Sequence, residues 1–93
     1  MDTIGVSQQS EKSDHWVFEV TVSNGTTTAH TVILDKTFYS ELTEENITPE
    51  ELMKKSFEFL LRREPRESIM KEFKLETITK HFPEFEIEIR GSQ

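Results

Sequence analysis

The chain reads as one α+β domain: a β-hairpin, two to three helices and a C-terminal strand (ββααβ), in two layers with a three-stranded, mainly antiparallel sheet. Three observations predict this. "HWVFEVTV" (15–22) alternates apolar and polar positions and runs into Asn24-Gly25; "TPEEL" (48–52) opens an apolar stripe at helical spacing; and "EFEIEIR" (84–90) alternates again. Ninety-three residues, 33% hydrophobic and 31% charged, with seven Phe, suffice for one core and not for two.

Residues 1–13 are polar, lack periodicity and are expected to form a disordered tail, followed by a single domain over 14–90 and a loose end at 91–93. Asn-Gly favours a two-residue type I′ turn, so a second strand over 27–34 should fold straight back. With Asn24 and Gly25 as the two loop residues, facing positions sum to 49. Trp16, Phe18 and Val20 then oppose Ile33, Thr31 and Ala29 on the better core face. Val17 opposes Val32, His15 opposes Leu34 and Glu19 opposes His30 on the other.

Asp35 is placed to cap a short helix over 36–42, with Phe38 and Leu42 on one side. Thr48, Pro49 and Glu51 form an N-cap, a first-turn proline and the second half of a capping box. The helix from Pro49 to about Glu64 aligns Met53, Phe57, Leu60 and Leu61, with Leu52 and Phe59 widening the stripe. Pro65 ends it. Along "RESIMKEFKLETITKHFP" the apolar phase shifts between Ile69/Met70/Phe73 and Leu75/Ile78/Phe82, which predicts a helix bent near Lys74 and stopped by Pro83. Phe85, Ile87 and Ile89 then alternate with Glu84, Glu86, Glu88 and Arg90 as the third strand.

Composition excludes several chemistries. Without Cys there is no disulfide, thiol nucleophile or thiolate metal site. Glycines at 5, 25 and 91 cannot build a phosphate-cradling loop. His15, His30 and His81 are scattered, and the Glu84/Glu86/Glu88 row would space its carboxylates about 7 Å apart, as a solvated strand face does. Arg62, Arg63 and Arg66 are interleaved with Glu58, Glu64 and Glu67, a self-neutralising arrangement. No cofactor, metal or small molecule is implied. The whole net charge of −7 lies in residues 1–50, which carry nine acids against Lys12 and Lys36. Such a field disfavours a nucleic-acid partner. There is no signal-peptide pattern and no run of about 20 apolar residues, so a cytoplasmic, membrane-free protein is expected.

Two resemblances accompany this reading. The pattern "HTVILD…FYSELT…TPEELMKKSFEFLLRREPRESIM…F.L..I..HFPEFE", residues 30–86, resembles a group of short prokaryotic proteins of unknown function and implies no activity. Residues 28–64 are similar in layout to the ribbon-helix-helix fold: strand, short helix "FYSEL", turn, and a longer helix opening "TPEELMKKSFEFLL". That resemblance implies a DNA-binding regulator or antitoxin, with a dimeric ribbon in the major groove and a phosphate at the second helix start. Aligned at the strand-to-helix junction, Ala29, Thr31 and Ile33 would face the bases, and none has bidentate donors. Glu50 and Glu51 would stand where the phosphate belongs.

The expected function is therefore non-catalytic: a protein-interaction module or homodimer. A hairpin apolar on both faces needs two covers, and the candidate interface residues are Val17, Val32 and Leu34 on its second face and Phe59 beside the helix stripe. Unpaired sheet edges offer a further route to partners. Beyond the DNA-binding alternative, a small enzyme would have to use the Glu19/His30 pair.

Overall fold

A computed structural model describes residues 2–92. A four-stranded sheet of order β1-β2-β3-β4 is packed on one face by helices: β1 Thr3–Glu11, β2 His15–Asn24, β3 Thr26–Asp35, α1 Lys36–Thr43, α2 Pro49–Leu61, β4 Glu72–Lys74, α3 Thr77–His81 and α4 Glu84–Gly91, with a 3₁₀ turn at Arg66–Ser68 before β4. The α+β architecture is as expected, but the sheet is mixed and has four strands. β1–β3 form an antiparallel meander, and β4 adds parallel to β3.

The expected tail is largely β1. Ile4 and Val6 pair with Val22 and Val20, and their alternation with Thr3, Gly5 and Ser7 suits a strand with one side against a core. Gly5 permits close approach to β2, since a Cβ there would lie 2.7 Å from Thr21 Oγ1. Met1 and Gln93, the outermost residues of the two expected loose ends, lie outside the described residues, whereas Gly91 belongs to α4.

The hairpin forms with its register one residue from expectation. Asn24 pairs with Thr26, and the turn centres on Gly25 alone, at φ 84°. Facing positions therefore sum to 50, as in Trp16↔Leu34, Phe18↔Val32 and Val20↔His30. A one-residue slip exchanges every side chain of β3 between the faces. The observed register gathers Phe18, Val20, Val22, Val32 and Leu34 in the core. The expected one would have buried Ile33, Thr31 and Ala29 in place of Leu34, Val32 and His30, a smaller apolar area. Each fully buried Val, Leu or Phe is worth roughly 1.5–3 kcal/mol, so the slip decides the pairing.

α1 forms, although Asp35 makes no side-chain cap. Tyr39 and Leu42 are buried, and Trp16 meets Tyr39 edge-on at 5.4 Å. α2 has the predicted capping box: Glu51 N–H donates to Thr48 Oγ1 at 3.1 Å, and Thr48 N–H to Glu51 Oε1 at 3.0 Å. Leu52, Met53, Phe57, Phe59 and Leu60 face the sheet and α4.

Two corrections follow α2. The predicted bent helix is instead a 3₁₀ turn, a three-residue strand and the short α3, and Phe73 and Leu75 enter the core from the strand region that replaces the bend. "EFEIEIR" is α4, not a strand: Phe85 and Ile89, four apart, are buried, while Ile87 is 75% exposed. Glu84 and Glu88 share a helix side, where Arg63 bonds to them at 3.1 and 2.5 Å and Arg62 meets Glu88 at 2.9 Å. Those arginines are neutralised by α4, not by the glutamates beside them in sequence.

Candidate functional site

The direction of the sheet hydrogen bonds locates its unused edges. Thr31 N–H donates to the Lys71 carbonyl at 2.7 Å and Leu75 N–H to the Ile33 carbonyl at 2.9 Å, so odd-numbered β3 residues aim their backbone groups toward β4. Alternation makes even-numbered β3 residues bond to β2, and odd-numbered β2 residues bond to β1. In the observed register Thr3, Gly5 and Ser7 are bonded to β2. Ile4, Val6 and Gln8 therefore present their N–H and C=O groups outward, with no partner strand among the described residues.

This outer edge of β1 lacks the usual protections. From Thr3 to Gln8 it holds no charge and no proline, and the register irregularity comes only between Gln8 and Ser10. Ile4 and Val6 lie half-buried against the core at the border of the sheet. Glu11, beyond the irregularity, is held by Lys36 at 2.6 Å, and this hydrogen bond keeps its carboxyl below the usual range.

The residues expected to form an interface are placed elsewhere. Val32 and Leu34 are 0% exposed and Phe59 is 1% exposed, all packed within the chain's own core. Val17 is half-buried on the open sheet face, opposite Ile33. Two apolar faces belong only to the slipped register. In the true one the open face is largely polar, with Thr21, Thr31, Glu19, Glu72 and Lys74 around that single aliphatic pair. Glu19 and His30 cannot act together: Glu19 is exposed on the open face opposite Thr31, and His30 is buried on the core face opposite Val20. The strand a ribbon-helix-helix dimer would pair is already held on both sides along Thr31–Ile33, by β2 and β4.

No family model, curated protein or solved structure matches the chain. Among the described residues no cluster of three or more His, Asp or Glu could hold a metal ion, and no helix is long and apolar enough to cross a membrane. One carboxyl pair is notable: Glu76 shares a hydrogen bond with Asp35, which together with burial pushes the Glu76 carboxyl above the usual carboxylate range. Two cavities accompany these features. One, of about 270 Å³, is walled by Leu60, Ile69, Phe73 and Phe82. The other, of about 490 Å³, runs between the hairpin end of β3 and Arg66 and Lys71.

Sequence reasoning missed the β1 edge because only Ile4 and Val6 signal it. Two apolar residues in a polar stretch are a faint alternation, though their spacing is that of a strand.

Proposed function

We propose that this chain is a non-catalytic protein-interaction module that pairs with a second copy of itself through the outer edge of β1. The observation that carries this reading is the row of outward backbone groups at Ile4, Val6 and Gln8 on an uncharged, regular strand. Antiparallel pairing about a two-fold axis through Val6 sets Val6 against Val6 and Ile4 against Gln8 of the other copy, and each outward N–H finds a carbonyl. That axis is normal to the sheet, so both helix layers lie on the same side of one eight-stranded sheet. Because β1 packs beneath α2, the two copies of α2 approach each other and cover Ile4 and Val6. Beyond the irregularity after Gln8 the register moves by one, so Asp2 falls opposite Glu11 of the other copy, whose carboxylate Lys36 already holds at 2.6 Å.

Sedimentation equilibrium tests the reading. A two-chain mass at micromolar concentration is expected, and a single-chain mass at high micromolar concentration overturns it. Gln8→Pro should give a monomer of unchanged far-UV spectrum: it removes one outward donor, and proline is tolerated where the N–H faces away from the ladder.

A further inference from the structure

The chain has a second stretch of unpaired strand edge, and unlike the first it carries cations. β4 accompanies β3 only along Thr31–Ile33. Ahead of β4 the chain turns toward the helix layer, where His30 Nδ1 bonds to the Met70 carbonyl at 2.8 Å and the Arg66 guanidinium donates to Thr26 Oγ1. The divergence opens the groove of about 490 Å³, with β3 on one side and Arg66, Glu67 and Lys71 on the other. By the alternation that aims Thr31 and Ile33 at β4, the backbone groups of Thr27 and Ala29 face this groove. No described residue pairs with them.

We propose that the groove binds an extended acidic peptide, which lies beside Thr27–Ala29 in the line of β4 and sets carboxylates against Arg66 and Lys71. Three observations converge on that occupant. The free backbone groups repeat every second residue, which a strand matches and a small anion does not. The groove's lining carries Arg66 and Lys71 against Glu67, with Asp2 3.7 Å from Arg66, a cationic spot in a chain of net charge −7. Arg66 is also incompletely satisfied: its terminal nitrogens meet Thr26 Oγ1 and, at 3.7 Å, Asp2, while its buried Nε has no partner among the described residues. The guanidinium has five N–H groups, more than these contacts use, and a carboxylate entering the groove suits those left on its terminal nitrogens.

The probe is an end-blocked, fluorescently labelled hexapeptide alternating Glu and Thr, titrated into the full chain and followed by anisotropy. Saturable binding is expected, weakened by salt. It should fall by about tenfold or more when Gln replaces Glu in the peptide, when alternate peptide amides are N-methylated, and in Arg66→Gln. The two modified peptides leave the protein untouched, so they decide the matter even if Arg66→Gln unfolds. Absence of saturable binding, or equal binding of the modified peptides, overturns the proposal. Full displacement of the peptide by inorganic phosphate also overturns it, because the groove would then be a simple anion site. The Gln8→Pro variant should keep its peptide affinity, which separates this site from pairing through β1.

Discussion

His30 shows how one side chain ties the core to a distant segment. It is 2% exposed, its ring stands 5.4 Å from Phe57, and its two nitrogens bond to the Met70 carbonyl and to Thr28 Oγ1 at 2.8 and 3.0 Å. A carbonyl only accepts, so Nδ1 carries the proton, and in the neutral ring Nε2 accepts from the Thr28 hydroxyl. His30→Leu keeps the volume and orphans the Met70 carbonyl; a loss of about 1–3 kcal/mol is expected in urea unfolding. The Asp35/Glu76 pair works in the opposite sense. A carboxyl whose folded-state pKa is raised holds its proton better when folded, so its contribution is fully present below its ordinary pKa near 4.5 and is lost as pH rises through the raised value. Glu76→Gln removes the like charge. It should stabilise the chain at pH 7 by on the order of 0.5 kcal/mol, with little change at pH 4, as read from urea midpoints at the two pH values.

α2 was the most legible segment, because a capping box, a first-turn proline and an apolar stripe all point to one answer, and tertiary packing agrees with them. α4 was not legible. Phe85, Ile87 and Ile89 satisfy a strand's period, yet Phe85 and Ile89 alone also satisfy a helix, and the sequence offers no vote between the two. The deciding contacts are long-range: Arg62 and Arg63, just past α2, hold Glu84 and Glu88 together, and a helix brings those carboxylates within about 6 Å of each other where a strand would set them about 13 Å apart. Val32 and Leu34 lie in the core and not on the open face for a similar reason, since a turn centred on Gly25 instead of between Asn24 and Gly25 is a local detail that reassigns the whole of β3. Because α4 is helical, Ile89→Ala should cost about 2–5 kcal/mol, while Ile87→Ala should stay within about 0.5 kcal/mol. Comparable losses at both positions would mark a strand instead. Thr48→Ala, which breaks the capping box, should cost about 1 kcal/mol.

The assembled chain combines a strongly acidic surface with two unpaired edges of different character, and salt should act on them in opposite directions. Two copies of net charge −7 repel each other, so screening favours pairing through β1; raising ionic strength from low to physiological should tighten the dimer in sedimentation. The groove beside Arg66 and Lys71 attracts its acidic peptide by charge, and there the same change weakens binding. Dimer formation that falls with salt would count against an uncharged interface. Strand-to-strand attachment carries a hazard, for a molecule that offers similar borders at both ends can polymerise without limit. Here the border opposite β1 is β4, only three residues long, with Lys71 and Lys74 at its ends. So short a ledge, studded with ammonium groups, gives a newcomer too few rungs to hold, and the neighbouring Thr27–Ala29 stretch favours acidic strands, which the uncharged border of β1 is not; growth should halt at a particle of two chains instead of running on into a fibre.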